Sequence, residues 1–139
     1  MSISINDNLP NQDLNILIDG EIQNLNSTEY FSDKKVILVG VPAAFSTTCH
    51  LSHLPGYLEY LQHFNDKGYT VTVMAVNDPF VMKSWFEASN ANGIHMIADG
   101  NCDLTKALDL TMDGSAFGLG IRCKRFAMIV ENGIVQSID

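Results

Sequence analysis

The chain has 139 residues, the length of one domain spanning residues 1–139, and a domain of that size buries roughly two thirds of its unfolded surface, enough for a core without disulfides. Apolar residues make up 46% and charged residues 17% of it, a globular balance rather than a disordered or fibrous one. The formal net charge of −8 speaks against nucleic acid and against an anionic membrane surface as partners, and no apolar run approaches the ~20 residues of a membrane span.

The opening MSISINDNLPNQ has neither a basic start nor an apolar stretch, so a secretory signal is not expected. It is also too poor in arginine for an organelle transit peptide, and a cytoplasmic, reducing setting is the default expectation. Residues 13–23 predict a β-hairpin, because Leu14, Ile16 and Ile18 alternate and Asp19-Gly20 supplies a turn. Residues 26–33 are polar and read as loop. The run VILVGV (36–41) is continuously apolar and β-branched, as in a strand buried on both faces of a parallel sheet.

Pro42 ends that strand, and Cys49 falls where the strand-to-helix turn closes. Free N–H groups and the positive end of a helix dipole favour an anion there, so the thiol pKa is expected to fall. Leu54, Tyr57, Leu58, Leu61 and Phe64 then recur at helical spacing, with Gly68 as a stop. A second buried strand, TVTVMAV (70–76), completes a parallel βαβ unit.

Asp78-Pro79 is a helix-start signal, with Val81, Trp85 and Ala88 on one face of a helix reaching about Asn92. Residues 94–98 form a short strand. Asp103 is expected to cap a further helix carrying Leu104, Ala107, Leu108 and Thr111. Residues 113–121 are Gly-rich and loop-like. The closing FAMIVENGIVQSI is two apolar runs joined by Asn132-Gly133, a type I′ hairpin signal. The order amounts to a thioredoxin-like α/β sandwich: a central mixed sheet flanked by helices, with an N-terminal β-hairpin addition. The final C-terminal helix of that plan is not readable before Asp139.

Three cysteines, Cys49, Cys102 and Cys123, form no CxxC pair. That pattern suits a reactive thiol better than a disulfide framework, a zinc knuckle or a dithiol exchange site. Cys49, His50 and His53 allow a metal reading by spacing, but no carboxylate or further cysteine stands nearby in sequence, and neither a metal nor any other cofactor is expected.

VPAAFSTTC (41–49) resembles the peroxidatic loop of the peroxiredoxins, P-x-x-x-[T/S]-x-x-C, with Pro42, Ser46 and Cys49 in register. HLPGY (53–57), VNDPFV (76–81), Trp85 and KRFAMIVENGIV (124–135) resemble the type-five subgroup, called type II in plants. The likeness covers about residues 35–138. It implies a thiol peroxidase acting on hydrogen peroxide or alkyl hydroperoxides. In that scheme Cys49 attacks one peroxide oxygen and becomes a sulfenic acid. Pro42 shields the sulfur, the Ser46 hydroxyl orients the peroxide, and Arg125 stabilises the thiolate and the developing charge. Serine stands where most members carry threonine, and lacks the methyl that stiffens the rotamer. Read alone, Ser46 is a turn or capping residue and Arg125 a solvated strand residue. Phe80 and Trp85 read as core, or through the resemblance as dimer contact and pocket wall. His53 orients the loop through a hydrogen bond.

No cysteine occupies the positions where type-five members carry a resolving thiol. Cys102 lies beside Asp99 and Asp103, which disfavour its thiolate. Cys123 shares strand parity with Arg125, so a regular strand sets both on one face; packing is the plainer role. The expected reductant is therefore external: glutathione with glutaredoxin, or thioredoxin. A homodimer is expected through Phe45, residues 80–85 and the 114–120 loop. The alternative is a non-enzymatic redox-sensing or interaction module on the same fold.

Overall fold

The computed structural model describes residues 2–46 and 54–139. The first hairpin joins β1 (Asp13–Ile18) to β2 (Glu21–Asn26) through Asp19 and Gly20, both in the left-handed region at φ 52° and 80°. That is the backbone a two-residue type I′ loop requires. The polar stretch read as loop contains a short helix, α1 (Ser27–Phe31). Asn26 caps it: its side-chain oxygen accepts the Glu29 N–H at 2.8 Å, and its amide donates to the Glu29 carboxylate at 2.6 Å. Tyr30 and Phe31 anchor this turn in the core.

β3 (Lys35–Gly40) and β4 (Tyr69–Ala75) pair in parallel, as the buried apolar runs predict. Between them the single expected helix is broken at Tyr60 into α2 (Leu54–Glu59) and α3 (Leu61–Asp66). α4 (Pro79–Ala88) opens as expected, with the Asp78 carboxylate accepting the Val81 N–H at 2.9 Å. It closes four residues earlier than the periodicity suggests, because Asn90 turns left-handed at φ 50°. Its buried face is Met82, Trp85 and Phe86, with Ala88 exposed.

β5 (His95–Ala98) leads into α5 (Asp103–Leu108). Asp103 does not cap this helix. The buried Asp99 does, accepting from the Leu104 and Thr105 N–H groups at 3.1 and 2.8 Å and from the Thr105 hydroxyl at 2.6 Å. Thr111, expected to close the helix, instead starts β6 (Thr111–Asp113), which pairs with β7 (Ile121–Cys123) as a separate two-stranded ribbon. β8 (Phe126–Glu131) and β9 (Ile134–Ile138) form the hairpin predicted from Asn132-Gly133. β9 is the last element described.

The main sheet has seven strands in the order β2-β1-β5-β4-β3-β8-β9. β3, β4 and β5 run parallel at its centre, while β1 and β8 flank them antiparallel. This is the mixed, helix-flanked α/β sandwich expected from the sequence. Side-chain alternation divides the core between the two faces. Val36, Leu38, Met74 and Ile97 pack with Tyr30, Phe31, Leu104 and Leu108 on one side. Ile37, Val39, Val73 and Met96 pack with Leu54, Met82, Trp85 and Phe86 on the other.

Candidate active site

The candidate loop begins where β3 runs out at the end of the sheet. Val41 keeps one last sheet bond, its N–H donating to the Met74 carbonyl at 3.0 Å. Pro42 cannot donate such a bond, so the chain is released from the ladder there. A turn over residues 43–46 follows. Phe45 adopts the left-handed conformation at φ 63°, a costly one for a bulky side chain. The Ser46 hydroxyl donates to the Ala43 carbonyl at 2.8 Å, and the Ser46 N–H points to the same oxygen at 3.4 Å. With its proton committed to Ala43, the half-buried Ser46 oxygen can still accept through its lone pairs. Cys49 and its neighbours His50 and His53 lie outside the described residues.

Arg125 approaches this loop through the sheet. β3 and β8 are antiparallel neighbours, and the last registered pair is Gly40 with Phe126. Arg125 directly precedes Phe126, so it stands next to the end of β3 that leads through Val41 into Pro42. The approach is close: a Cβ on Gly40 would overlap the Phe126 ring, so only glycine lets β8 lie against β3 there. Pro42 and Arg125, 83 positions apart in the chain (125 − 42), thus both lie just past the Gly40–Phe126 end of the β3–β8 pair.

Cys123 and Arg125 do not share a face, contrary to the parity expectation. β7 ends at Cys123, and Lys124 and Arg125 form an irregular link before β8 starts at Phe126. The irregular link resets the alternation, leaving Cys123 fully buried and Arg125 exposed. Burial pushes the Cys123 thiol up to about 12, and its S–H is donated to the Lys124 carbonyl at 3.1 Å. The Cys102 thiol is raised as well, by burial first and then by the negative charge of Asp99. Both are poor nucleophiles at neutral pH.

Phe80 and Trp85 part company. Trp85 is fully buried, with the Phe45 ring 6.5 Å away centroid to centroid, whereas Phe80 is 77% exposed and is not core. Two residues that sequence reasoning passed over brace the site. The Asn77 side-chain oxygen accepts the Ala44 N–H at 3.0 Å. Arg122 donates to the Val76 carbonyl at 2.7 Å and to the Leu119 carbonyl at 2.8 Å, tying the β6–β7 ribbon to the end of β4. The Asn77–Ala44 and Arg122–Val76 bonds have no local sequence signature, since each joins segments far apart in the chain.

The sequence profile of the Redoxin family matches residues 5–139. Rice peroxiredoxin-2C is 40% identical over 134 residues, covering 94% of this chain and 82% of that protein. Rice chloroplastic peroxiredoxin-2E-2 is 34% identical over 145 residues, and the match spans 99% of this chain but 64% of that longer protein. Among solved structures, reduced Prx3 of Vibrio vulnificus in complex with H2O2 superposes with a TM-score of 0.92 at 43% identity, covering 99% of this chain and 87% of that one. The Plasmodium falciparum antioxidant protein, described as a 1-Cys peroxiredoxin, gives a TM-score of 0.92 at 31% identity, covering 98% and 83%.

Proposed function

The chain belongs to the peroxiredoxins, and from that premise we propose that it is a thiol-dependent peroxidase reducing hydrogen peroxide and alkyl hydroperoxides, with Cys49 as the peroxidatic nucleophile. What supports this reading is the β3–β8 register, whose last pair, Gly40 with Phe126, stands next to both the turn that leads through Pro42 and Ser46 to Cys49 and the residue Arg125. In the first step the Cys49 thiolate attacks one peroxide oxygen. The O–O bond breaks, the sulfur becomes a sulfenic acid, and the other oxygen leaves with a proton as water or alcohol. The Ser46 oxygen accepts the hydrogen bond from the peroxide O–H. Arg125 supplies positive charge for the thiolate and for the oxygen that leaves.

The sulfenic acid is then reduced by an external thiol, either glutathione with glutaredoxin or thioredoxin. The burial and raised pKa of Cys102 and Cys123 support this one-cysteine route. No helix among the described residues is long and apolar enough to cross a membrane. The two described cysteines are free, which suits a reducing compartment such as the cytoplasm. Similar proteins include a chloroplastic form in rice and the peroxisomal membrane associated protein 20 of fission yeast, so fractionation decides the compartment.

The test is peroxide consumption with each reductant system in turn. Activity is expected with wild type and absent in Cys49→Ser. Full activity in Cys49→Ser, or a wild-type Cys49 that oxidises no faster than free cysteine, sinks the enzymatic reading and favours a sensing or interaction module.

A further inference from the structure

The turn over residues 43–46 carries a strain. Phe45 sits at φ 63°, and the bonds within the turn run from Ser46 back to Ala43. Strained conformations of this kind persist when surrounding structure holds them. From outside, the Trp85 ring lies beside Phe45, and the Asn77 side chain bonds the backbone of the turn. Because the Ala44 N–H only donates, the oxygen of the Asn77 amide is the atom that faces it, at 3.0 Å. Asn77 itself stands on fixed ground. The preceding Val76 carbonyl is held by the Arg122 guanidinium at 2.7 Å. Gly100 lies against the following backbone so closely that a Cβ there would come within 3.3 Å of the Asp78 Cα. The Asp78 side chain is in turn locked as the cap of α4.

We propose that Asn77 is a positioning residue for peroxide reduction: by accepting the Ala44 N–H it holds the strained 43–46 turn, and through it the Ser46 hydroxyl, in the geometry that receives the peroxide. The inference rests on the peroxidase reading above and adds to it a residue that touches neither sulfur nor substrate. Its chemistry is specific. An acceptor oxygen is needed at that place, and a side chain of similar size without one leaves the Ala44 N–H unpaired and the turn free to relax.

Two electrophiles separate positioning from general damage. Alkylation of Cys49 by iodoacetamide needs the thiolate but not the Ser46 hydroxyl, whereas reaction with hydrogen peroxide needs both. Rates are followed for wild type, Asn77→Ala and Asn77→Asp across pH, with Trp85 fluorescence reporting that each variant is folded. Asn77→Ala is expected to lose about tenfold in the peroxide rate, the value of one hydrogen bond, while its alkylation rate and the pH midpoint of alkylation stay at wild type. Asn77→Asp keeps an acceptor oxygen and is expected to recover the peroxide rate at high pH, with a thiol midpoint moved upward by the added negative charge. A wild-type peroxide rate in Asn77→Ala overturns the proposal, and so does an Asn77→Asp variant that is folded but slow at every pH. If Asn77→Ala does not fold, the Asn77→Asp rate alone decides. A wild-type protein with no preference for peroxide over iodoacetamide is a different result, and it removes the peroxidase reading itself.

Discussion

Ser46 and Arg125 differ in how they are held, and so in what their loss should cost. Ser46 is tied into its own turn, its proton given to Ala43. Removing the hydroxyl in Ser46→Ala removes one acceptor from the peroxide and should slow Cys49 oxidation about tenfold. Ser46→Thr restores the stiffening methyl and should be at least as fast as wild type. A rate equal to wild type in Ser46→Ala, measured by stopped flow, removes Ser46 from the mechanism. Arg125 carries charge rather than shape alone. Arg125→Met should cost on the order of 10²–10³ in the peroxide rate, as losing one preorganised stabilising donor does elsewhere. Arg125→Lys should recover only part of it, because an ammonium lacks the planar fork. A loss under threefold in Arg125→Met contradicts the assigned role.

The elements that were readable in advance are those whose cause is local. Asp19-Gly20 and Asn132-Gly133 specify their hairpins through the positive φ that each pair adopts, and Asp78-Pro79 specifies a helix start by cap and pre-set φ. Elements set by tertiary packing escaped. α1 exists because Tyr30 and Phe31 are drawn into the core, although the Asn26 and Glu29 pair was a local signal for it. The cap of α5 comes from Asp99, outside the helix, across a left-handed Cys102 at φ 66°, a geometry no spacing rule anticipates. The two caps predict different costs. Asp78→Ala should lose about 1 kcal/mol, the usual value of an exposed N-cap. Asp99→Ala leaves three donors unpaired, two backbone N–H groups and a hydroxyl, around a buried site. It should lose about 3 kcal/mol or more. Urea denaturation of both variants checks the order, and an equal loss contradicts it.

For the molecule as a whole, one buried network should make stability depend on pH. His95 Nδ1 lies 2.6 Å from the Tyr30 hydroxyl, which lies 2.7 Å from the Thr72 hydroxyl. Burial first, and then the nearby Lys34 charge, hold the His95 imidazole below its ordinary value of 6.5, while Asp19 works the other way. A lowered folded value means that the unfolded chain binds the proton more readily. The contribution is therefore fully present above pH 6.5 and is lost as pH falls from there toward the lowered folded value. Urea midpoints taken between about pH 7.5 and 5 should decline, and His95→Gln should flatten the decline. An unchanged slope in His95→Gln assigns the dependence elsewhere.

The exposed rings bear on assembly. Phe45, Phe80 and Phe117 are 45%, 77% and 83% exposed. They fall on the segments named for a homodimer, whereas the buried Trp85 adds no surface of its own. Sedimentation at tens of micromolar should give a dimer, and a monomer counts against that arrangement. The remote braces, Arg122 on Val76 and Asn77 on Ala44, were invisible to a reading along the chain, because they depend on how the β4–α4 bend meets the β6–β7 ribbon and the turn after β3 once the chain is folded.

The assignment of Cys49 as the reacting sulfur is read directly by intact mass after a small excess of hydrogen peroxide without reductant, in wild type and in single Cys49→Ser, Cys102→Ser and Cys123→Ser variants. Wild type, Cys102→Ser and Cys123→Ser should each gain one or two oxygens (about 16 or 32 Da), mapped to Cys49, and Cys49→Ser should gain none. Oxidation of Cys49→Ser at the wild-type rate, or a loss of two hydrogens in wild type that disappears in Cys102→Ser or Cys123→Ser, would contradict it.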